Sequence, residues 1–232
     1  MSDPAAVLNP DAWLSAQLDR PCFHASPSWS QPLASALAEL PPGGFADTKI
    51  PCEQVAVAQA FQAAGFQLVD TSVTFERRCP LPAPSLPIRE ATPDDAPAVA
   101  RVAAESFRFS RFHLDPRFTS AEAAAVKAAW VANFFTGNRG TRLYVADVGS
   151  AIAGFLLAIH QGDRAVIDLI AVSPRHQRQG VAAALIAALA AGSDKAATLV
   201  AGTQVANVPS VRLYESLGFR LAKSAYVLHY HA

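Results

Sequence analysis

The chain has 232 residues, of which 51% are apolar, with 19 basic and 19 acidic side chains and a formal net charge of zero. That length suits one large domain or two modest ones, with ample apolar material for a packed core. A neutral balance gives no electrostatic footprint for a polyanion, so nucleic acid is not an expected partner, and no apolar run reaches the length of a membrane span.

The opening MSDPAAVLNPDAWL has no basic start followed by an apolar block, so no secretory signal is read there and a cytoplasmic location is expected. Cys22, Cys52 and Cys79 are odd in number and far apart, without metal spacing. They read as reduced thiols, and no metal is expected. The composition breaks at CPLPAPSLP, with four prolines in nine residues. Proline fixes φ and removes a backbone donor, so this stretch is neither helix nor central strand. It predicts an N-terminal region over residues 1–79, a linker over 80–87 and a C-terminal domain over 86–232.

Beyond the linker, LPIREA predicts a short strand. TPDDAPAVARVAAESF predicts a helix with Thr92 as N-cap, Pro93 at its first position and two acidic residues in its first turn. SAEAAAVKAAWVANFF predicts a second helix capped by Ser120. TRLYVAD and AIAGFLLAIHQ flank Val148-Gly149-Ser150, which reads as a hairpin turn. There follow a strand RAVIDLIAV, a helix GVAAALIAALAA closed by Gly192, a strand AATLVAGT, a helix VPSVRLYESLGF capped by Gly218, and a last strand KSAYVLHY. Strands and helices mixed in this order predict an α/β (α+β) fold around a mixed sheet with antiparallel and parallel pairs. An internal echo joins AFQAAGFQLVDTSVTFE (residues 60–76) to LYESLGFRLAKSAYVLH (residues 213–229), matching Gly65 with Gly218 and Phe66 with Phe219. The N-terminal region thus reads as a truncated copy of the second half of the C-terminal domain.

The stretch SPRHQRQGVAAALIAAL carries the chemistry. A strand ends, a polar loop follows, and a helix begins near Gly180. The first amides of a helix lack internal partners and the helix dipole adds partial positive charge, so a phosphate placed there meets aligned donors. Gly180 permits close backbone approach, and Arg178 adds a mobile positive charge. A glycine at an ordinary strand-to-helix turn is the alternative. The segment Phe107 to Phe118 interleaves Phe107, Phe109, Phe112 and Phe118 with Arg108, Arg111 and Arg117. Aromatics can stack on a sugar or base and arginines can pair with a diphosphate. A helix end packed by its phenylalanines is the alternative.

LIAVSPRHQRQGVA resembles the acetyl-CoA signature of the GCN5-related N-acetyltransferases (GNAT superfamily), apolar-x-Val-x-Pro followed by R/Q-x-x-G-x-G/A. NVPSVRLYESLGF, about thirty residues later, resembles that superfamily's second signature. Gln177 stands where arginine is commoner and Ala182 where glycine is commoner. The resemblance covers residues 86–232 and implies a mostly antiparallel mixed sheet, here preceded by a partial copy of the fold. A narrower resemblance rests on ESFRFSRFHLDPRF, WVANFFTGNRG, AAGFQLVDTSVTF and SAYVLHY. These are similar to the TDP-fucosamine acetyltransferase type, which acetylates the 4-amino group of a TDP-linked 4-amino-4,6-dideoxy sugar.

The resemblance implies acetyl-CoA as co-substrate and an amino-sugar nucleotide as small-molecule partner, with neither membrane nor nucleic acid involved. Relatives of this type are often dimers, so a homodimer is expected. It implies that the backbone of Ile170, Ala171 and Val172 pairs with the pantetheine arm and the acetyl oxygen, on a strand that splays from its neighbour. Gln177, Arg178, Gln179, Gly180, Val181 and Ala182 would hold the pyrophosphate. Tyr214 is the candidate acid for the leaving thiolate, against a packing role. Asn207 would bond the pantetheine arm, against a capping role. Asp70 falls where such enzymes place an acidic residue and is the expected base, with His113 its rival. Arg108, Arg111, Phe112 and His113 are expected at the acceptor. Another small-molecule amine, a protein amine or a non-catalytic acyl-CoA-binding module are the alternatives in function.

Overall fold

The structure, a computed structural model, describes residues 8–27, 33–149, 151–192 and 197–232. They fall into two compact units.

The first unit comprises residues up to Val73, with Gln204–Ala206 and Lys223–Ala232. Its elements are β1 (Leu8–Pro10), α1 (Ala12–Leu18), β2 (Cys22–Ala25), α2 (Leu33–Ala38), β3 (Phe45–Pro51), α3 (Val55–Ala63) and the first half of β4 (Gln67–Arg78). β1 pairs antiparallel with β2, and β2 parallel with β3. The third partner comes from the far end of the chain, where residues 225–231 run antiparallel to β3 from Ala225↔Pro51 to His231↔Phe45. α1 starts where Asp11 accepts from the Leu14 amide at 2.8 Å, an N-cap that satisfies one orphan donor. α3 covers one sheet face and buries Phe61 edge-on to Phe66, with centroids 4.9 Å apart, among Ala46, Ile50 and Leu228. Each such side chain contributes roughly 1.5–3 kcal/mol by leaving water.

The second unit comprises Thr74–Thr203 and Asn207–Ala222. It holds the rest of β4, then β5 (Ile88–Glu90), α4 (Ala96–Ser106), α5 (Arg111–Leu114), α6 (Ser120–Ala132), β6 (Arg142–Val148), β7 (Ala151–Gln161), β8 (Arg164–Val172), α7 (Val181–Ala191), most of β9 (Thr198–Gln204), α8 (Val208–Ser216) and the start of β10 (Arg220–His231). The strand order β9-β8-β7-β6-β5 is antiparallel throughout except for the parallel β8–β9 pair. α4 and α6 pack Val99, Val102, Ala103 and Val131 on Phe155, Leu157, Leu169 and Ala171. α7 buries Val181, Ala184, Leu185, Ile186 and Leu189.

The predicted mixed, mostly antiparallel α/β sheet is present. The boundary between units falls within β4, at Val73–Thr74, and residues 80–87 lie inside the second unit; the last ten residues belong with the first. The cap of α6 is Thr119, not Ser120. Thr119 Oγ1 accepts from the Glu122 amide at 3.2 Å while Glu122 accepts from the Thr119 amide at 2.8 Å, a reciprocal capping box. Ser150, read as part of the hairpin turn, lies outside the described residues, while Gly149 has the positive φ (65°) such a turn needs.

The internal echo has a local counterpart. α3 and α8 each have nine residues, and β4 and β10 each have twelve. Gly65 and Gly218 both take positive φ (103° and 77°) between helix and strand, where the left-handed region favours glycine.

Candidate active site

The second unit has a crevice built into its strand pairing. β8 stays paired with β7 to its end, Gly154↔Val172, but its parallel pairing with β9 stops at Ile167↔Ala201. Five residues of β8, Asp168–Val172, continue past the point where β9 has left. Their β9-facing amides have no β9 partner past that point and can serve a ligand, as at the carboxyl ends of parallel strands generally. Ile170 and Val172 turn their amides to this side; Ala171, paired with Phe155 in step with the Ser173 amide bond to the Ala153 carbonyl, faces β7, which corrects the expectation for that residue. A β-bulge begins the segment, for the register with β7 runs Leu157↔Leu169 and then Ala158↔Ile167, leaving Asp168 as the extra residue. A bulge bends and twists its strand, so the divergence has a local cause.

Both helices that follow these strands start at the same end of the sheet. α7 follows β8 through a 3-10 turn at Pro174–His176 and residues 177–180. Gly180 is its N-cap with φ 80°, and Arg178 also has positive φ, 60°. Strain of this kind in a non-glycine residue is a marker of functional loops. A Cβ on Gly180 would meet nothing within 4 Å, so it would project into open space beside the loop. Gln177 Nε2 donates to the Val172 carbonyl at 3.3 Å and Gln179 Nε2 to the Arg175 carbonyl at 3.2 Å. These bonds curl the loop on itself. Residues 177–180 are exposed, and the amides of Val181 and Ala182 open the helix with no internal partner. Such an arrangement suits a multiply charged anion. Gly154 on β7 lies beneath. A Cβ there would stand 2.8 Å from the Ala171 carbonyl oxygen and 3.1 Å from Val181 Cγ1. Only glycine lets β7, β8 and α7 approach this closely.

Asn207 is the N-cap of α8, its Oδ1 accepting from the Ser210 amide at 3.4 Å while Nδ2 donates to Thr203 Oγ1 at 3.2 Å. The capping alternative is therefore realised in this structure. Tyr214 is 2% exposed, its ring packed between Phe75 (5.7 Å) and Phe219 (5.4 Å). Burial pushes its phenol well above the ordinary tyrosine range, so the hydroxyl stays protonated at neutral pH.

The segment 107–118 divides between core and surface. Phe112 and Phe118 are both buried and meet edge-on at 5.2 Å. Phe112 thus anchors α5 rather than offering a face to a sugar, which corrects the expectation for that residue. Arg111 lies over the Phe112 ring at 4.6 Å and Arg108 is exposed. His113 Nδ1 is 2.6 Å from Ser110 Oγ. Burial, with the charges of Lys127 and Arg108, pulls the His113 pKa below its usual value and leaves the ring neutral at neutral pH.

Asp70 belongs to the first unit, and the other predicted site residues to the second. It is 7% exposed, and burial raises its pKa to about 6 against the opposing effects of the Thr71 backbone and Lys49. Its Oδ2 is buried without a hydrogen-bond partner.

One cluster escaped the sequence reading. Asp168 takes both guanidinium bonds of Arg139, each 2.6 Å, and the indole N–H of Trp130 at 3.0 Å. A lone carboxylate in the apolar run RAVIDLIAV was the available signal, since a buried charge requires partners. Among the described residues, no helix is long and apolar enough to cross a membrane.

The profile of the acetyltransferase (GNAT) family matches residues 103–219. The chain is 32% identical over 139 residues to the spore coat polysaccharide biosynthesis protein SpsD of Bacillus subtilis (strain 168), covering 59% of this chain and 48% of that protein. It is 34% identical over 97 residues to the ribosomal protein bS18-alanine N-acetyltransferase of Escherichia coli (strain K12), covering 40% of this chain and 66% of that one. The chain thus matches about half the length of the first relative. Among solved structures, it shares its fold with the GCN5-related N-acetyltransferase from Sphaerobacter thermophilus at a TM-score of 0.59 and 15% identity, covering 85% of this chain and 63% of that one. The GCN5-related N-acetyltransferase from Kribbella flavida gives a TM-score of 0.58 at 14% identity, covering 98% and 88%. The family profile takes in half of the chain and spans both the diverging strands and the two helices that follow them, and the protein belongs to the acetyltransferase (GNAT) family.

Proposed function

We propose that this acetyltransferase moves the acetyl group of acetyl-CoA onto the amine of a nucleotide-linked 4-amino-4,6-dideoxy sugar by direct attack. The donor side is supported by the departure of β9 from β8 at Ile167, which opens the Ile170–Val172 edge beside the Gly180 loop. In this reading the amides of that edge hold the pantetheine arm and the carbonyl oxygen, and residues 177–182 hold the pyrophosphate. The amine lone pair attacks the thioester carbon, a C–N bond forms, and negative charge collects on the oxygen facing donor amides. The nitrogen gives up a proton to the base, the C–S bond breaks, and the sulfur takes a proton that Tyr214 supplies and then regains by exchange with solvent.

The sugar is supported by the likeness to a polysaccharide biosynthesis protein over 139 residues. The cations Arg108, Arg111 and Lys127 around residues 107–113 favour an anionic acceptor. The likeness to a ribosomal-protein acetyltransferase favours a protein amine as the second reading. The test is acetyl-CoA consumption against TDP- and UDP-linked 4-amino-4,6-dideoxy sugars, polyamines and peptides beginning with alanine. A nucleotide sugar is expected to exceed the rest in kcat/KM by at least ~100-fold, as a site that binds a diphosphate should discriminate. Turnover on peptides with none on sugars would select the second reading.

For the base, both Asp70 and His113 carry the required form at pH 7.5. Asp70 ionises above about pH 6, and the lowered pKa of His113 leaves it neutral. Asp70→Asn distinguishes them. If Asp70 accepts the proton, the rise of kcat/KM through about pH 6 disappears in the variant. Stability gives a second readout. A carboxyl whose folded pKa is raised binds its proton more tightly in the native state, so its contribution is full below the unfolded value of 3.8 and is lost as pH rises through about 6. Asp70→Asn is therefore expected to stabilise at pH 7.5 by up to ~3 kcal/mol and to change little at pH 4, read as the shift in urea midpoint. A carboxyl whose pKa is raised by burial in this way fits a functional role better than a structural one.

A further inference from the structure

The bulge that opens the crevice is held from outside the strand. Asp168, the extra residue, has a side chain only 9% exposed. Its carboxylate receives a two-point bond from Arg139 and a third bond from Trp130 Nε1. Arg139 stacks on the Trp130 ring with its Cζ 4.6 Å from the centroid. Lys127 covers Trp130 and Phe107 in turn, 5.0 Å from each. The same loop is seated on the other side of the register shift. Gly140, next to Arg139, takes φ 84°, and a Cβ there would collide with Leu157 Cδ1. Leu157 is the residue of β7 at which the register changes. Two neighbouring residues of one loop thus grip both strands at the bulge, and a ladder of cations and rings runs from Asp168 to the segment that begins at Phe107.

We infer that Asp168, with Arg139 and Trp130, is the positioning device for the donor edge. It fixes the bend of β8 and so aims the backbone amides of Ile170 and Val172, two and four residues further on. This rests on the acetyl-transfer reading of that edge. Asp168 acts through the backbone and touches no reacting atom. Both oxygens of its carboxylate are held by these three donors, which also distinguishes it from a base. A two-point guanidinium bond fixes orientation in a way that a point charge does not. The pyrophosphate loop lies beyond the bulge and touches the edge through the Gln177 bond to the Val172 carbonyl, while Gln179 bonds back within the loop, so its hold on the charged end of the cofactor is less sensitive to the bend than the alignment of the carbonyl is.

The experiment uses the full chain and acetyl-CoA labelled with 13C at the thioester carbonyl. Calorimetry reads affinity, infrared difference spectra read the carbonyl band, and steady-state kinetics read kcat. In the wild-type protein the band shifts down on binding, because amides donate to the oxygen. Asp168→Asn and Arg139→Gln are expected to keep the Kd for acetyl-CoA within about threefold, lose or broaden the shift, and lower kcat at least ~10-fold. Arg139→Lys, which keeps the charge but not the fork, is expected in between. A purely structural cluster would lower the melting temperature and leave the band in place. Folded Asp168→Asn and Arg139→Gln variants with the wild-type band and kcat would overturn the inference. If they do not fold, Trp130→Phe keeps the ring under Arg139 and removes one bond, and an unshifted band position relative to wild type in that variant overturns it equally. A wild-type protein that does not bind acetyl-CoA overturns the acetyl-transfer reading, and this inference with it.

Discussion

Tyr214→Phe is expected to lower kcat for acetyl transfer by at least ~100-fold, the usual worth of a positioned general acid, with the KM for acetyl-CoA nearly unchanged. The substitution is clean because the phenyl ring keeps its place between Phe75 and Phe219. Only the hydroxyl is lost, so stability should move by no more than ~1 kcal/mol. The pH profile adds a second check. Burial pushes the phenol above its usual range, so Tyr214 contributes no titration limb between pH 7 and 9 in the wild type. A phenol held so firmly protonated is a weak acid, and in the proposed role it would give its proton only as the C–S bond breaks and the sulfur becomes basic. An unchanged kcat in a folded Tyr214→Phe would assign the ring to packing alone.

Gly180→Val is expected to act on the other constant. The KM for acetyl-CoA should rise ~10–100-fold while kcat at saturation changes little, since uniform binding is what is lost. Two effects contribute. A β-branched residue is strained at the φ of 80° that Gly180 adopts, and its side chain would fill the open space beside the loop. Gly180→Asn separates them, because asparagine tolerates the left-handed region while still occupying that space. Equal losses in both variants would point to occupancy, and a loss confined to valine to strain. Initial rates against acetyl-CoA concentration give the answer directly, and an unaltered KM in both would remove the pyrophosphate loop.

The elements that carry the candidate donor site were legible because each is announced locally. RAVIDLIAV became β8 residue for residue, and Gly180 marked the start of α7 where its φ requires glycine. Gly218 likewise marked the end of α8. What stayed hidden depends on partners distant in sequence. Thr119 and Ser120 are both hydroxyl residues at the start of one helix, and only the reciprocal bond with Glu122 chooses Thr119 as its cap. Phe107 and Phe112 look alike in an aromatic-basic segment, yet the structure buries one fully and lays Lys127 over the other. The bulge at Asp168 is a property of the β7–β8 register, which no single strand encodes. The proline-rich stretch marks irregular chain, and that is all proline can mark; which residues share a core is decided by long-range pairing.

That pairing bears on how the chain is made. β3 acquires its antiparallel partner from residues 225–231, and Leu228, 1% exposed, completes the cluster around Ile50, Phe61 and Phe66. The N-terminal unit therefore finishes last. During synthesis on the ribosome, β3 has to wait with one edge open while nearly all the rest of the chain emerges. An open edge beside apolar surface invites pairing with other nascent chains. Its closure is a non-local step that pays its loop entropy before any contact rewards it. Polypeptides stalled short of residue 225 should thus be cut by protease within residues 45–66, although those residues were translated first, and release of the final strand should protect them.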